Sequence, residues 1–404
     1  MSAAGPAPGA VRSLRVGLVA GEHSGDTLGA ALIGALRARV PQLECFGVAG
    51  PRMIAAGCEP WARAEELGVM GLAEVLGHLP RLLRLRAQLR ARFARVRPDV
   101  FIGIDAPEFN LTLARALKGQ GIATVQYVSP QVWAWRQGRV RTIGAAVDLV
   151  LCLLPFETEF YARHGMRAEF VGHPLADEIA LTTDRSGARA ALGLEPATPL
   201  VALLPGSRMA EVTRLGRPFI DAATCIARRA PAYRFLAPLA SAATREAFAR
   251  EVAQAPDAPR IELIDGQAQR VLAAADGAIV ASGTATLETL LSGCPMVVAY
   301  RMSPLTALLL RTLGLVKVRY FSQPNLLAGR QVVPEFLQEQ VKGAALGEAL
   351  LRQLEDPGKV RELRETFTTI HRQLRLNGAA RAADAILSLL AHGAGAADAG
   401  AARL

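Results

Sequence analysis

The chain has 404 residues, 51% of them hydrophobic but only 5% aromatic, and a net charge of +10 that comes largely from arginine. That length holds two domains of ordinary size, each with its own core, and the charge favours anionic partners: nucleic acid, phosphorylated metabolites or an acidic membrane surface. The five cysteines (Cys45, Cys58, Cys152, Cys225, Cys294) show no CxxC and no Cys/His metal spacing, and read as free buried thiols in a reducing cytosol.

The first ten residues, MSAAGPAPGA, are small and uncharged without a long apolar core, so 1–12 reads as a disordered leader. The run LRVGLVA (14–20) reads as a buried parallel strand. It leads into GEHSGD (21–26), where two glycines bracket a carboxylate, an imidazole and a hydroxyl, ahead of a helical pattern over 27–40. GEHSGD is neither GxxxxGK[ST] nor GxGxxG, so a P-loop is excluded and a dinucleotide fold is weakly supported. Over 67–97, Leu79, Leu82, Leu83 and Leu85 alternate with Arg81, Arg84 and Arg86. This spacing fits a basic amphipathic helix lying on anionic lipid, or an ordinary helix covering a sheet face.

DVFIGID (99–105) is a second strand, ending in Asp105. A carboxylate at that edge suits a general base, or the N-cap of a helix starting near Glu108. After the strand ATVQYV (123–128), Trp133 and Trp135 stand beside Arg136, Arg139 and Arg141. These read as a core pair with basic flanks rather than a nucleic-acid stack. LVLCLL (149–154) is a further strand, and the pattern then lapses over 173–195, which reads as a linker. His23 and His173, each at a strand-end turn, fit structural or catalytic roles alike.

A second alternating series runs through LVALLP (200–205), YRFLAPL (233–239), IELID (261–265), GAIVAS (277–282) and PMVVAY (295–300). LLPGSRMAEV (203–212) places Arg208 at a strand-to-helix turn, where free N–H groups and a guanidinium would make a pyrophosphate site, or a plain capped turn. In ASGTATLE a loop of Ser282, Gly283, Thr284, Ala285 and Thr286 opens a helix bearing Glu288. Phosphates could approach that loop and Glu288 could accept both ribose hydroxyls; the alternative is a capped helix with a first-turn glutamate. No DxD holds a metal–nucleotide pair, so the chemistry reads as metal-free and without a cofactor. The most apolar stretch, 296–318, is broken by Arg301, Pro304 and Arg311, short of the roughly 20 apolar residues that span a bilayer.

Two βαβ series predict an α/β protein of two doubly wound, Rossmann-like domains facing a cleft. The boundaries read 13–175, 176–365 and 366–404, the last as C-terminal helices and tail. Every polar motif follows a strand's carboxyl end, where such sheets bind ligands.

Together, GEHSGDTLGA, GVAGPRMIAAG, VMGLAEVL, PDVFIGIDAPEFN, YVSPQVWAWRQGR, LPFETEFY, FVGHPLAD, LLPGSRMAEV, ASGTATLE and QPNLLAGRQVVPEFLQ carry a resemblance. Over about residues 14–380 the chain resembles lipid-A-disaccharide synthases, glycosyltransferases of the two-Rossmann-domain (GT-B) type. Gln323-Pro324-Asn325 departs from the family's usual Leu-Pro-Asn but keeps the asparagine. The resemblance implies inverting transfer of 2,3-diacylglucosamine from UDP-2,3-diacylglucosamine to 2,3-diacylglucosamine 1-phosphate. It implies Asp105 as general base, Arg208 on the leaving diphosphate, Ser282, Gly283, Thr284, Ala285 and Thr286 as the phosphate loop, Glu288 on the ribose and Asn325 on the nucleotide side. With the donor-phosphate features in the other half, GEHSGD reads as the acceptor-side wall: Ser24 and Asp26 would cap the helix or contact the sugar, and Glu22 would hold cleft groups in place. Val69, Met70, Leu72, Val75, Leu76, Leu79, Leu82, Leu83, Arg84 and Arg86 would meet acyl chains and an anionic inner-membrane surface. The implied protein is peripheral on the cytoplasmic face of that membrane, binds no nucleic acid and is a homodimer exchanging C-terminal helices drawn from 363–390. Rival readings are a UDP-N-acetylglucosamine 2-epimerase, a related glycosyltransferase using a soluble or differently lipidated substrate, or a non-catalytic nucleotide-regulated membrane adaptor.

Overall fold

The structure is a computed structural model and describes residues 13–21, 23–67, 72–135, 137–303 and 319–401. The chain divides into two compact units, Met1–Pro174 with Arg375–Leu404, and Leu175–Leu374.

The first unit is built on a seven-stranded parallel sheet: β1 (Ser13–Ala20), β2 (Gln42–Ala49), β3 (Cys58–Arg63), β4 (Val100–Ile104), β5 (Ala123–Tyr127), β6 (Leu149–Cys152) and β7 (Ala168–Phe170). Their spatial order is β3-β2-β1-β4-β5-β6-β7. Every residue of β4 is buried, since helices cover both faces of the sheet and leave no polar side to alternate with. One face packs Leu32, Ile33 and Leu36 of the helix His23–Arg37, together with Ala382, Ala383 and Ile386 of the helix Gly378–Ala401. The other packs Phe93, Phe101, Leu113 and Tyr161.

The second unit repeats the scheme with β8 (Leu200–Leu204), β9 (Arg234–Leu239), β10 (Ile261–Asp265), β11 (Gly277–Ala281), β12 (Met296–Tyr300) and β13 (Glu335–Leu337), in the order β10-β9-β8-β11-β12-β13. Its strands also pair in parallel. Val212 and Phe219 of the helix Met209–Arg229 pack there with Phe248, Leu346 and Leu350.

Two stretches differ from the expected division. The segment read as a linker holds the helices Pro174–Glu178 and Arg185–Ala191. The buried Arg189 donates to the carbonyls of Ala274, Pro196 and Thr198 and pairs with Asp276, which ties this stretch to the second unit. The C-terminal helices do not stay together. Pro357–Leu374 belongs to the second unit, whereas Gly378–Ala401 returns to the first, where Asp384 meets Arg39 through two bonds of 2.5 and 2.9 Å.

Trp133 is half-buried, packs edge-on against Phe156 and donates its indole N–H to Glu157. This is the core role open to it in the sequence. Arg136 lies outside the described residues, as does the side chain of Trp135.

Candidate active site

Each sheet reverses its strand order once, between β1 and β4 in the first unit and between β8 and β11 in the second. Open parallel sheets bind ligands beyond the carboxyl ends of the strands at such a point. GEHSGD follows β1 and Asp105 follows β4; Arg208 follows β8 and residues 282–286 follow β11. The polar motifs thus fall at the two reversal points, in two pairs.

In the first pair the contact is direct. Ala20 lies beside Ile104 in the ladder, and a Cβ on Gly21 would stand 2.8 Å from the Ala106 Cβ, so only glycine lets these turns meet. Residues 23–26 of the motif form the first turn of the helix His23–Arg37, earlier than the expected start at 27, and His23 and Ser24 are exposed there. Glu22 lies outside the described residues. Asp26 is a correction. It is 1% exposed, and its two carboxylate oxygens accept the Arg52 and Met53 N–H groups at 2.9 Å each. It caps the helix Pro51–Ala55 and has no free face for a sugar.

Asp105 is half-buried and left-handed (φ 53°), as is Ala106 (φ 40°). Ala106, not Asp105, is the N-cap of the helix Pro107–Lys118, which removes the capping alternative. Burial pushes the Asp105 carboxyl above its ordinary range, and a hydrogen bond from the Ala106 N–H offsets part of that.

The second pair presents two helix starts that differ. At Met209–Arg229 two of the N–H groups of the turn are taken: Glu211 accepts from the Ser207 and Arg208 N–H groups at 3.0 and 3.2 Å. The Arg208 guanidinium beside them is exposed and without a hydrogen bond or ion pair among the described residues. At Thr284–Leu291 the N-cap is Gly283 (φ 148°), no side chain caps the helix, and Gly283 and Thr284 are exposed. Its uncovered N–H groups and dipole favour an anion. Ala285 is half-buried at this start, and Ser282 donates to the Phe321 carbonyl at 3.4 Å. The Thr286 hydroxyl turns inward to the Gly283 carbonyl at 2.7 Å. Glu288, one turn in, is half-buried, and burial raises its pKa.

Asn325 is the second correction. It is wholly buried, its Oδ1 accepts from Val332 and Val333, and its Nδ2 donates to the Val333 carbonyl and Glu335. With its hydrogen-bonding capacity filled, it closes the turn after the helix Gln323–Ala328 and reaches no ligand. Asn325→Ala should cost about 4 kcal/mol of stability, at roughly 1 kcal/mol for each of the four lost bonds, read as a lower denaturation midpoint.

Of the expected acyl-contact residues, Val69 and Met70 lie outside the described residues, as do the side chains of Leu72, Val75 and Leu76. Leu72, Val75 and Leu76 belong to the first turns of the helix Leu72–Val96, anchored at its far end by buried Leu89 and Phe93. Nearer its start Leu79 and Leu83 are 43% and 46% exposed, and Leu82 is half-buried. Arg84 is exposed and bonds only the Pro80 carbonyl, while Arg86 lies over the Phe109 ring. Among the described residues no helix is long and apolar enough to cross a membrane.

A model of lipid-A-disaccharide synthetase matches residues 16–387. The chain belongs to the lipid-A-disaccharide synthetase family. The lipid-A-disaccharide synthase of Pectobacterium atrosepticum is 51% identical over 380 residues, covering 94% of this chain and 98% of its own. That of Xanthomonas campestris pv. campestris (strain 8004) is 49% identical over 387 residues, 95% of this chain and 88% of its own. Among solved structures, the calicheamicin glycosyltransferase CalG4 matches with a TM-score of 0.60 at 17% identity, over 94% of this chain and 99% of that one. The UDP-GlcNAc 2-epimerase of Neisseria meningitidis bound to UDP-GlcNAc matches at 0.62 and 13%, over 93% and 99%. At such identities these two share the fold and nothing more, which gives this lipid-A-disaccharide synthetase family member the GT-B architecture.

Three residues that shape the candidate site went unread in the sequence. Glu211 had a signal, since a glutamate three residues into a helix is a common partner for the N-cap backbone. Glu335 had none: it gathers the N–H groups of Phe321 and Ser322, the Ser322 hydroxyl and the Asn325 amide from across a gap in sequence. Gln126, buried in β5 and bonded to the Asp105 carbonyl, looked like any strand residue.

Proposed function

We propose that this protein transfers 2,3-diacylglucosamine from its UDP donor to the 6-hydroxyl of 2,3-diacylglucosamine 1-phosphate, releasing UDP and a β-1,6-linked disaccharide 1-phosphate. One observation carries the reading: in a chain of this family, an uncapped helix start at Gly283 and an Arg208 guanidinium unpaired among the described residues follow the two strands that flank the same reversal point. Together they form a receptor for a diphosphate.

An α-linked donor giving a β product inverts the anomeric carbon, so the acceptor oxygen attacks in line as the bond to UDP breaks. Asp105 takes the proton from the 6-hydroxyl as the new C–O bond forms. The electron pair of the broken bond leaves on the UDP phosphate, where Arg208 and the N–H groups opening the helix at Thr284 meet the growing charge. Glu288 accepts the ribose hydroxyls. Ser24, exposed beside the Asp105 turn, fits the acceptor sugar. No step is routed through a metal or a cofactor, and a chelator should leave turnover unchanged.

Both lipids keep their chains at a bilayer, so the reading includes a peripheral protein on the cytoplasmic face of the inner membrane. Leu79 and Leu83, exposed among arginines, support that contact. Changing both to Asp removes two buried leucines from the lipid side and should weaken binding to anionic vesicles about a hundredfold; unaltered co-sedimentation argues against the surface. A homodimer belongs to the same reading and is checked by sedimentation equilibrium.

The deciding experiment incubates the protein with the two lipids and looks by mass spectrometry for the disaccharide and UDP. Folded protein that yields neither refutes the proposal. Interconversion of free UDP-N-acetylglucosamine epimers would point instead to an epimerase, and UDP binding without turnover to an adaptor.

A further inference from the structure

Three non-glycine residues hold left-handed backbone at two neighbouring strand ends: Asp105 (φ 53°) and Ala106 (φ 40°) after β4, and Val128 (φ 76°) after β5. L residues avoid this region, and a β-branched one most of all. Something must hold the turns there, and two buried amides are in place to do it. Asn110, from the helix Pro107–Lys118, donates its Nδ2 to the Asp105 carbonyl at 2.8 Å, and at longer reach to the Val19 and Ile104 carbonyls at 3.3 and 3.4 Å. Gln126, from β5, donates its Nε2 to the same Asp105 carbonyl at 3.1 Å, and to those of Val128 and Tyr127 at 3.3 and 3.4 Å. The carbonyl of Asp105 is gripped by both.

What these amides leave undone is as informative. Both residues are wholly buried, yet among the described residues Asn110 Oδ1 and Gln126 Oε1 have no hydrogen-bond partner. An unpaired buried acceptor is unfavourable, and an apolar side chain of the same size would avoid it. The worth of the two amides therefore lies in their N–H groups, each of which points at strand-end carbonyls around Asp105. The strand that carries Asp105 makes room for Asn110: a Cβ on Gly103 of β4 would stand 2.7 Å from the Asn110 Cβ.

We infer that Asn110 and Gln126 are positioning residues for Asp105, clamping its carbonyl so that the left-handed turn presents the carboxylate in one direction. The inference rests on the reading of Asp105 as general base. An acid–base group displaced by about 1 Å loses on the order of a hundredfold in rate, so the clamp acts on kcat and not on substrate affinity.

A double-mutant cycle tests it with Gln126→Met, which keeps the side-chain length and removes the donor, and Asp105→Asn. In the native background Gln126→Met should lower kcat by about 10- to 100-fold, with KM for both lipids changed less than about twofold. In the Asp105→Asn background the same change should cost less than about threefold, because there is no base left to aim. Equal losses in the two backgrounds, or no loss in the native one, overturn the inference. Asp105→Asn retaining native turnover would instead overturn the base reading, visible in that variant alone, and the inference with it. Circular dichroism checks the fold of each variant; where Gln126→Met does not fold, Asn110→Ser removes the other bond and is read through the same cycle.

Discussion

Asp105→Asn is expected to lower kcat by about a hundred- to ten-thousand-fold, the range for losing a general base, and to make the protein more stable at neutral pH. Asparagine is the informative replacement because it tolerates the left-handed backbone that Asp105 occupies, whereas alanine adds a conformational cost. The stability gain follows from burial, which raises the carboxyl's pKa in the folded state above its unfolded value. Between those two pKa values the folded protein binds more protons than the unfolded chain, so this group's contribution falls as pH rises through that window. Above it the buried charge is a standing penalty, which the neutral amide escapes. The same shift sets the pH–rate profile. A base must be unprotonated, so kcat/KM should fall as pH drops through the raised pKa, above the ordinary carboxylate range. The measurements are single-turnover rates against pH and a thermal midpoint for each protein. Near-native turnover by Asp105→Asn would remove Asp105 from the chemistry.

The strands were legible because their burial is two-sided. LVALL and GAIVA carry no polar residue, and they are β8 and β11, buried throughout. Asp105, Arg208 and the 282–286 loop were legible for a related reason: a polar residue directly after such a run must lie at the carboxyl edge. Asp26, in the motif after β1, looked the same in sequence and differs in structure, and Asn325, assigned from the resemblance alone, differs likewise. Whether a short polar side chain at an edge faces a ligand or caps a neighbour depends on backbone that folds onto it from elsewhere. For Asp26 that backbone is at Arg52 and Met53. The clamp on Asp105 was hidden likewise, since Asn110 sits on a buried helix face and Gln126 within a strand. The pairing of motifs depends on strand order, and apolar runs do not reveal which strand lies beside which.

Arg208→Ala should lower kcat/KM for the UDP donor by about a hundred- to a thousand-fold, the scale for removing a preorganised group from developing anionic charge. The reason lies in how the two helix starts at β8 and β11 divide their work. Glu211 occupies the N–H groups of Ser207 and Arg208, so on the β8 side the guanidinium is the charged donor that turn offers to a diphosphate. On the β11 side Gly283 offers backbone N–H groups and no positive side chain. Charge on the departing phosphate grows as the anomeric bond breaks, so a group that meets it there is felt more strongly in the transition state than on binding. Most of the loss should accordingly appear in kcat. Arg208→Lys should recover only part of it, because an ammonium keeps the charge but not the planar two-pronged fork. A rise in KM at unchanged kcat would make Arg208 a donor-docking residue, and unchanged donor kinetics would leave the leaving group to the Gly283 helix start alone.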